Sequence, residues 1–494
     1  MIPSTPPPIV PLVFPPPPLW LALHLPLLPL EANAPLPSPS AIIEQGRILL
    51  ADAGARQAGV ERGVGVAAAR MLAPAITLMP RNPSREAAAI QALACWAGCL
   101  TPRISVTADS LLLEIGSCLR LFGGVEKMAD AAQAGVLAQG FSVEVAVAPT
   151  PLGAHWLAQC VTAARCLDKH LLRQQLEALP IGVLPAKAAA SLARFGARTL
   201  ADVRRLPVAA LSRRIGREAM QLLARAFGEL PDPRADFVFP DQFSLSLPLP
   251  VAVENAGALL FAARRLTSAL VGWLSVRQAG VRNITLRLLH RQGETPLALQ
   301  FAAPNSDESR FERVLRERLG LLLLTAPVES LQLEVTHVVA LPGRSLALFD
   351  DAGDAQEAVG ALLERLEARL GGPQVYRLSV QDDHRPECAT RRTALFEKAA
   401  PGEASAFPRP LWLLDKPEAL AEVDGRPYRQ GVLILLAGPE RIESGWWDGG
   451  ESSNEFSGDI RRDYFIALSA NACWLWIYRE CRAPGGWFLQ GYFS

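Results

Sequence analysis

The stretch LWLALHLPLLPLEA, Leu19 to Ala32, constrains this chain more than any other. It is apolar except for one histidine in its middle and a glutamate near its end. Such a run reads as a buried strand that passes directly into a helix. It is too short, and too broken by Pro26 and Pro29, to span a bilayer. Strand–helix corners often carry a catalytic carboxylate or a phosphate-binding loop. Here the corner offers only Ala22, His24 and Pro26.

The eighteen residues before it hold nine prolines. Proline fixes φ and removes a backbone donor, so residues 1–18 read as an extended tail. They lack the basic start and small-residue cleavage site of a secretory signal. The expected location is therefore the cytoplasm. The eight cysteines agree with a reducing compartment: they are scattered, none forms a C-x-x-C pair, and no His/Cys spacing suits zinc.

A chain of 494 residues is too long for one core, and three or four domains are expected. Residues 19–179 alternate short apolar strands with helices, as in RILLADAGARQAGVERGVGVAAARMLAP and FSVEVAVAPTPLGAHWLAQ, the pattern of an α/β domain. Residues 180–234 read as all-helical, with short helices paired around Gly196 and again around Gly216. A glycine between two short helices suits a helix-hairpin-helix turn, whose backbone N–H groups can hold a phosphate. Residues 241–340 return to α/β, with two helix–strand units forming a sheet covered on one face. Residues 341–408 read as a looser linker. Residues 409–494 read as strand-rich and dense in tryptophan, as a small β core or a docking surface.

Lysine plus arginine and aspartate plus glutamate balance at 49 each, so any affinity for nucleic acid has to come from local patches. One such patch is present: Lys187 to Arg234 holds ten Lys/Arg against four Asp/Glu. The plain alternative is a solvated helix surface. No P-loop, G-x-G-x-x-G, H-E-x-x-H or G-x-S-x-G occurs, so motifs for small-molecule chemistry are silent.

The order of segments is more specific. SLLLEIGSCLRLFGG, VEVAVAPTPLGAHWLA, the basic double hairpin, SLALFDD, HRPE and the closing GPERIESGWWDGG together resemble the Y-family translesion DNA polymerases. They are most similar to the polymerase-like members found in bacterial mutagenesis cassettes. The resemblance covers residues 19 to 494. It implies a multidomain α/β fold: polymerase-like palm and fingers, a helical helix-hairpin-helix thumb, an α/β little finger and a strand-rich C-terminal region.

Polymerases of this family hold two metal ions on acidic residues. The resemblance places the two carboxylates of the first strand at Ala22 and His24, and the later acidic pair at Asp109 and Ser110. It places the Tyr-x-x-Arg triphosphate clamp at Ala53 and Arg56, and a later lysine at His155. Most hard-metal ligands are thereby replaced, and the expectation is a degenerate polymerase with no bound metal or cofactor. The thumb candidates for phosphate contact are Arg194, Gly196, Arg198, Arg204, Arg205, Arg213, Arg214, Gly216 and Arg217. Those of the little finger are Arg264, Arg265, Arg277, Arg282 and Arg287. SLALFDD resembles the sliding-clamp peptide, with Leu346, Leu348 and Phe349 as apolar anchors and Ser345 where the family has glutamine.

Three functions are compatible with these features. The first is a non-catalytic adaptor in damage-induced, error-prone translesion synthesis, binding primer–template DNA, the polymerase III sliding clamp, a RecA-like cassette partner and an error-prone C-family polymerase. The second is an active Y-family polymerase using displaced carboxylates such as Glu114 or Glu44. The third is a structural helix-hairpin-helix DNA-binding protein without replisome partners.

Overall fold

The computed structural model describes residues 18–33, 36–341, 351–397, 407–446 and 459–493. The chain forms two compact units, residues 1–369 and 370–494.

The first unit begins with the apolar run. Strand β1 (Trp20–His24) leads into the short helix α1 (Leu28–Glu31). A small outlying unit follows: β2 (Ser40–Glu44), β3 (Arg47–Ala51), α2 (Ala53–Gln57), α3 (Val66–Leu72) and β4 (Thr77–Pro80), with sheet order β3-β2-β4. Its core is made of small residues such as Ala41, Ala51, Ala55 and Ala69, with Ile48 and Val60. Arg81 ties it down, donating to Glu86 at 2.8 Å and to Glu44 at 3.1 Å.

The chain then returns to β1 through α4 (Pro83–Ala97), β5 (Ile104–Val106), β6 (Ser110–Glu114), α5 (Leu119–Phe122), α6 (Val125–Ala138), β7 (Glu144–Ala148) and α7 (Pro151–Cys160). The start of α4 is set by Asn82, which accepts from the Arg85 N–H, and by Pro83 in the first turn. Thr150 and Pro151 do the same for α7. The sheet order is β5-β6-β1-β7, with β1 antiparallel to both neighbours. Trp20 and Ala22 face one core, which includes Trp156 and Leu157 of α7. Leu21, Leu23 and Leu25 face the other, with residues of α4 and α6. Burial on both faces is why the strand's sequence is continuously apolar rather than alternating.

The helical region comprises α8 (Lys169–Glu177), α9 (Ala186–Ala193), α10 (Leu200–Arg204) and α11 (Val208–Ala226). The α9–α10 turn passes through Gly196 at φ +80°, and Thr199 and Asp202 close α10 as a capping box. Helix α11 is broken at Gly216, also at φ +80°. An added Cβ at either glycine would meet open space, so the requirement is conformational, not steric packing. The two hairpins expected from the sequence are present.

Next comes a sheet of order β10-β9-β11-β8, built from β8 (Ser244–Val253), β9 (Ala279–His290), β10 (Glu294–Asn305) and β11 (Val328–Glu334), with β12 (Val339–Ala340) paired to β9. Helices α12 (Leu259–Val276) and α13 (Glu308–Leu321) share its core. The run Ala256–Val276 is long and apolar enough to cross a membrane; here it supplies the core helix of this sheet.

The stretch expected to be a loose linker is not loose throughout. Asp351–Leu370 is a helix, α14. It is docked by a buried ion pair, Arg310 Nε to Glu364 Oε2 at 2.7 Å, and Glu364 also accepts from the Ala302 N–H at 2.7 Å.

The second unit contains a two-stranded ribbon, β13 (Tyr376–Val380) with β14 (Thr390–Ala394). Its main sheet runs β16-β15-β20-β19-β18-β17, from β15 (Trp412–Val423), β16 (Arg426–Tyr428), β17 (Ile434–Ser444), β18 (Ile460–Leu468), β19 (Trp474–Glu480) and β20 (Gly486–Tyr492). The HRPE segment is structural here: Glu387 accepts from Arg462 and from Gln490, each at 3.0 Å. The tryptophans divide, with Trp476 and Trp487 buried and Trp412, Trp446 and Trp474 exposed.

Replacing Glu364 by alanine would leave the buried Arg310 guanidinium with only the more distant Glu357, at 3.8 Å, as a carboxylate partner. Urea unfolding should show a loss of about 3–5 kcal/mol. A change below about 1 kcal/mol would mean the pair does not hold α14.

Candidate functional site

His24 closes β1, directly opposite Ser110 on β6 and Glu144 on β7. Opposed residues of antiparallel strands share a face, and this face is the one covered by α7. The His24 Nδ1 lies 3.2 Å from the Ser110 hydroxyl, which sits 2.9 Å from Oδ1 of Asp109 and donates to it. The second carboxylate oxygen of Asp109 lies 3.7 Å from the same His24 nitrogen. The Asp109 carbonyl accepts from the Leu25 N–H at 2.8 Å, which ties the end of β1 to the β5–β6 turn. Helix α7 adds His155, its ring edge-on to His24 with centroids 6.4 Å apart.

Four of the residues singled out in the sequence thus come together: His24, Asp109, Ser110 and His155. Ala22 lies one step along the same strand face, fully enclosed with Leu112 and Ala146. Glu144 completes the row and was missed, because register is not legible in a strand reading VEVAVA. Arg56 is exposed on α2 and donates to the Asp52 carbonyl of its own helix start.

His155 is half enclosed. Its Nε2 meets Gln159 at 3.2 Å, while its Nδ1 is buried with no hydrogen-bond partner. Burial pushes its pKa below the ordinary 6.5; Asp109 opposes this, and His24 and Arg234 add to it. The imidazole is therefore neutral near pH 7, unlike the lysine that the resemblance places here.

The donor set does not fit a pair of Mg²⁺ ions. Magnesium demands near-octahedral oxygen ligation. Ala22 offers a methyl group, the Ser110 proton already satisfies Asp109, and His24 and His155 offer imidazole nitrogens, which leaves Glu144 as the one further carboxylate in the row. Among the described residues no group of three or more His, Cys, Asp or Glu is placed to hold a metal ion.

The basic residues separate by their partners. Arg204 is internal to the fold: it pairs with Glu229 at 2.8 Å and lies 4.3 Å over the Phe227 ring. Arg205 pairs with Asp202 at 3.8 Å, and Arg214 stacks 3.7 Å over Phe195. Arg194, Arg198, Arg213 and Arg217 are exposed. None of those four side chains pairs with a carboxylate among the described residues, and they flank Gly196 and Gly216.

The other five arginines are more committed. Arg287 pairs with Glu334 at 2.9 Å and with Glu294, and Arg264 pairs with Glu312. Arg282 donates to the Ala302 carbonyl at 3.1 Å, and Arg277 to the Pro240 carbonyl at 2.7 Å. Arg265 is half-buried, with its guanidinium 4.4 Å over the Phe141 ring. Ser345, Leu346, Leu348 and Phe349 lie outside the described residues.

Residues 33–159 match the impB/mucB/samB family. The matched segment contains Arg56, Asp109, Ser110 and His155, whereas Ala22 and His24 precede the match. Over 88% of its length the chain is 25% identical to Protein ImuB of Caulobacter vibrioides, in both strain NA1000 and strain ATCC 19089, and covers all of that protein. Similar solved structures include an insertion ternary complex of Dbh DNA polymerase, 16% identical with a TM-score of 0.38 over 65% of this chain and all of that one. DinB from Sulfolobus solfataricus is also 16% identical, with a TM-score of 0.36 over 66% of this chain and all of that one.

The depressed pKa of His155 carries a sign for stability. The unfolded chain binds the proton more readily, so stability falls as pH drops through about 6.5 toward the folded-state value. Urea midpoints measured from pH 8 to pH 5 should decline, and His155→Gln should flatten part of that decline. A parallel curve for the variant would show that His155 titrates alike in both states.

Proposed function

We propose that this chain is a non-catalytic adaptor in error-prone translesion DNA synthesis. The observation that carries the reading is the polar cluster at the end of β1. Where two-metal polymerase chemistry needs converging carboxylates, this cluster has Ala22, a His24–Ser110–Asp109 hydrogen-bond chain and a neutral His155. The similarity to ImuB supports a role in mutagenesis.

The alternative of an active polymerase needs substitute carboxylates, and the two candidates are engaged elsewhere. Glu114 accepts from the Gly116 N–H at 2.9 Å, and Glu44 pairs with Arg81. The structural DNA-binding alternative leaves the similarity to ImuB without a role.

As an adaptor the protein would bind primer–template DNA through the helical hairpins. It would also bind the polymerase III sliding clamp through Ser345, Leu346, Leu348 and Phe349, its RecA-like cassette partner ImuA, and an error-prone C-family polymerase that performs the synthesis. Induction by DNA damage, as in the SOS response, and a cytoplasmic location belong to the same reading. Phosphate contacts made by arginines at the hairpin turns would be blind to sequence.

Primer extension by highly purified protein, with Mg²⁺ or Mn²⁺, should be absent. Templated incorporation that disappears on Asp109→Ala would overturn the reading. DNA binding tests the hairpins separately. Changing Arg213, Arg214 and Arg217 to alanine should weaken duplex binding and reduce the slope of log K against log salt by about 2–3. Arg204→Ala should instead lower thermal stability and leave that slope nearly unchanged.

A further inference from the structure

We propose that the five-stranded β8–β12 sheet domain is locked onto the β1 sheet domain, as a fixed platform rather than a swinging one. Three separate sets of contacts point to this, and none depends on the DNA-binding reading.

The first is a crossing of α12 over the end of α4 with a glycine on each side. A Cβ on Gly272 would lie 2.1 Å from the Cys95 carbonyl oxygen and 2.4 Å from that of Trp96. A Cβ on Gly98 would lie 2.7 Å from the Gly272 carbonyl oxygen. The helices meet backbone to backbone, and the Cys95 side chain packs into the core of the five-stranded sheet. The two domains share a continuous interior there, and close-packed interiors leave no slack for sliding.

The second is Arg265 of α12, whose guanidinium lies over Phe141 of the β1 domain. Burial pushes its pKa down to about 10, opposed by the nearby Glu31. Beside it the Phe261 ring would stand 3.0 Å from a Cβ on Gly140.

The third is the connecting segment 229–243, which is fastened at both ends. Asp232 accepts from the Leu152 N–H at 3.1 Å, and the Phe237 N–H donates to the Ile104 carbonyl on the β5 edge at 2.6 Å. The Pro240 carbonyl accepts from Trp273 Nε1 and from Arg277, each at 2.7 Å. Phe237 and Phe239, edge to face at 5.0 Å, pack against both cores. Domains joined by a free linker move by default; this linker is stitched to both partners.

The lock can be read through the native thiols, because Cys95 is buried at the crossing, Cys473 is exposed and Cys166 is buried in a different core. The full-length protein would be treated with N-ethylmaleimide, with and without a primer–template duplex, and the modified peptides quantified. Cys95 should react more than about tenfold more slowly than Cys473 in both conditions. Reaction of Cys95 at the Cys473 rate, in either condition, overturns the proposal.

Gly272→Leu should force the crossing apart and speed Cys95 modification at least about tenfold while Cys166 stays protected. Unchanged protection of Cys95 in that folded variant also overturns it. If Cys166 becomes reactive too, the variant has unfolded, and the milder Gly98→Ala is judged by the same comparison alongside the wild-type rates. Duplex binding is measured in parallel by fluorescence anisotropy. Its absence would refute the DNA-binding reading alone, because the DNA-free rates judge the lock by themselves.

Discussion

The first unit depends on β1 being enclosed on every side. It has a strand on each edge and helices over each face, so its residues must be apolar or hydrogen-bonded. An unpaired carboxylate at position 22, fully enclosed under α7, would be costly without a cation to neutralise it. Alanine removes the charge and lets the helix sit on the sheet with small-residue contacts. At the strand's end, where enclosure relaxes, His24 remains polar because Ser110 and Asp109 satisfy it. The composition of the site and the packing of the core are therefore consequences of the same enclosure.

Charge is used with similar economy elsewhere. The chain is neutral overall, yet its arginines are unevenly engaged. Arg310 and Arg462 are buried and paired, and Arg81 and Arg287 each bridge two carboxylates. Arg194, Arg198, Arg213 and Arg217 stay exposed around two glycine turns. A neutral protein can thus present a local cationic face without a global excess of charge. The same sorting explains why counting arginines in a window overstates an interface: Arg204 lies in the basic stretch but serves the fold.

The helical hairpins show what local signals can do. Gly196 and Gly216 adopt the positive φ that L side chains avoid, and Thr199 and Asp202 cap the helix after the first of them, so both turns are legible without tertiary information. Helix α14 shows the opposite. It lies in a stretch rich in glycine and aspartate that reads as a linker, and what fixes it is a partner far away in sequence, Arg310. The ribbon holding HRPE is similar, since Glu387 gains its role only from Arg462 and Gln490 across the sheet.

Periodicity determined that β1 is a buried strand, that the chain alternates α/β and helical segments, and that two glycine hairpins occur, because each of these rests on neighbours within a few residues. Residue identity likewise determined that Ala22, His24 and Ser110 cannot supply carboxylates. Only the tertiary structure decided that His24, Asp109, Ser110 and His155 share one face with Glu144, since strand register is set by pairing between distant segments. Only it decided which arginines are exposed and which are consumed in ion pairs. It alone brought Gly98 against Gly272, because a glycine's need for close approach comes from the backbone packed against it and leaves no mark in the sequence beyond the missing side chain.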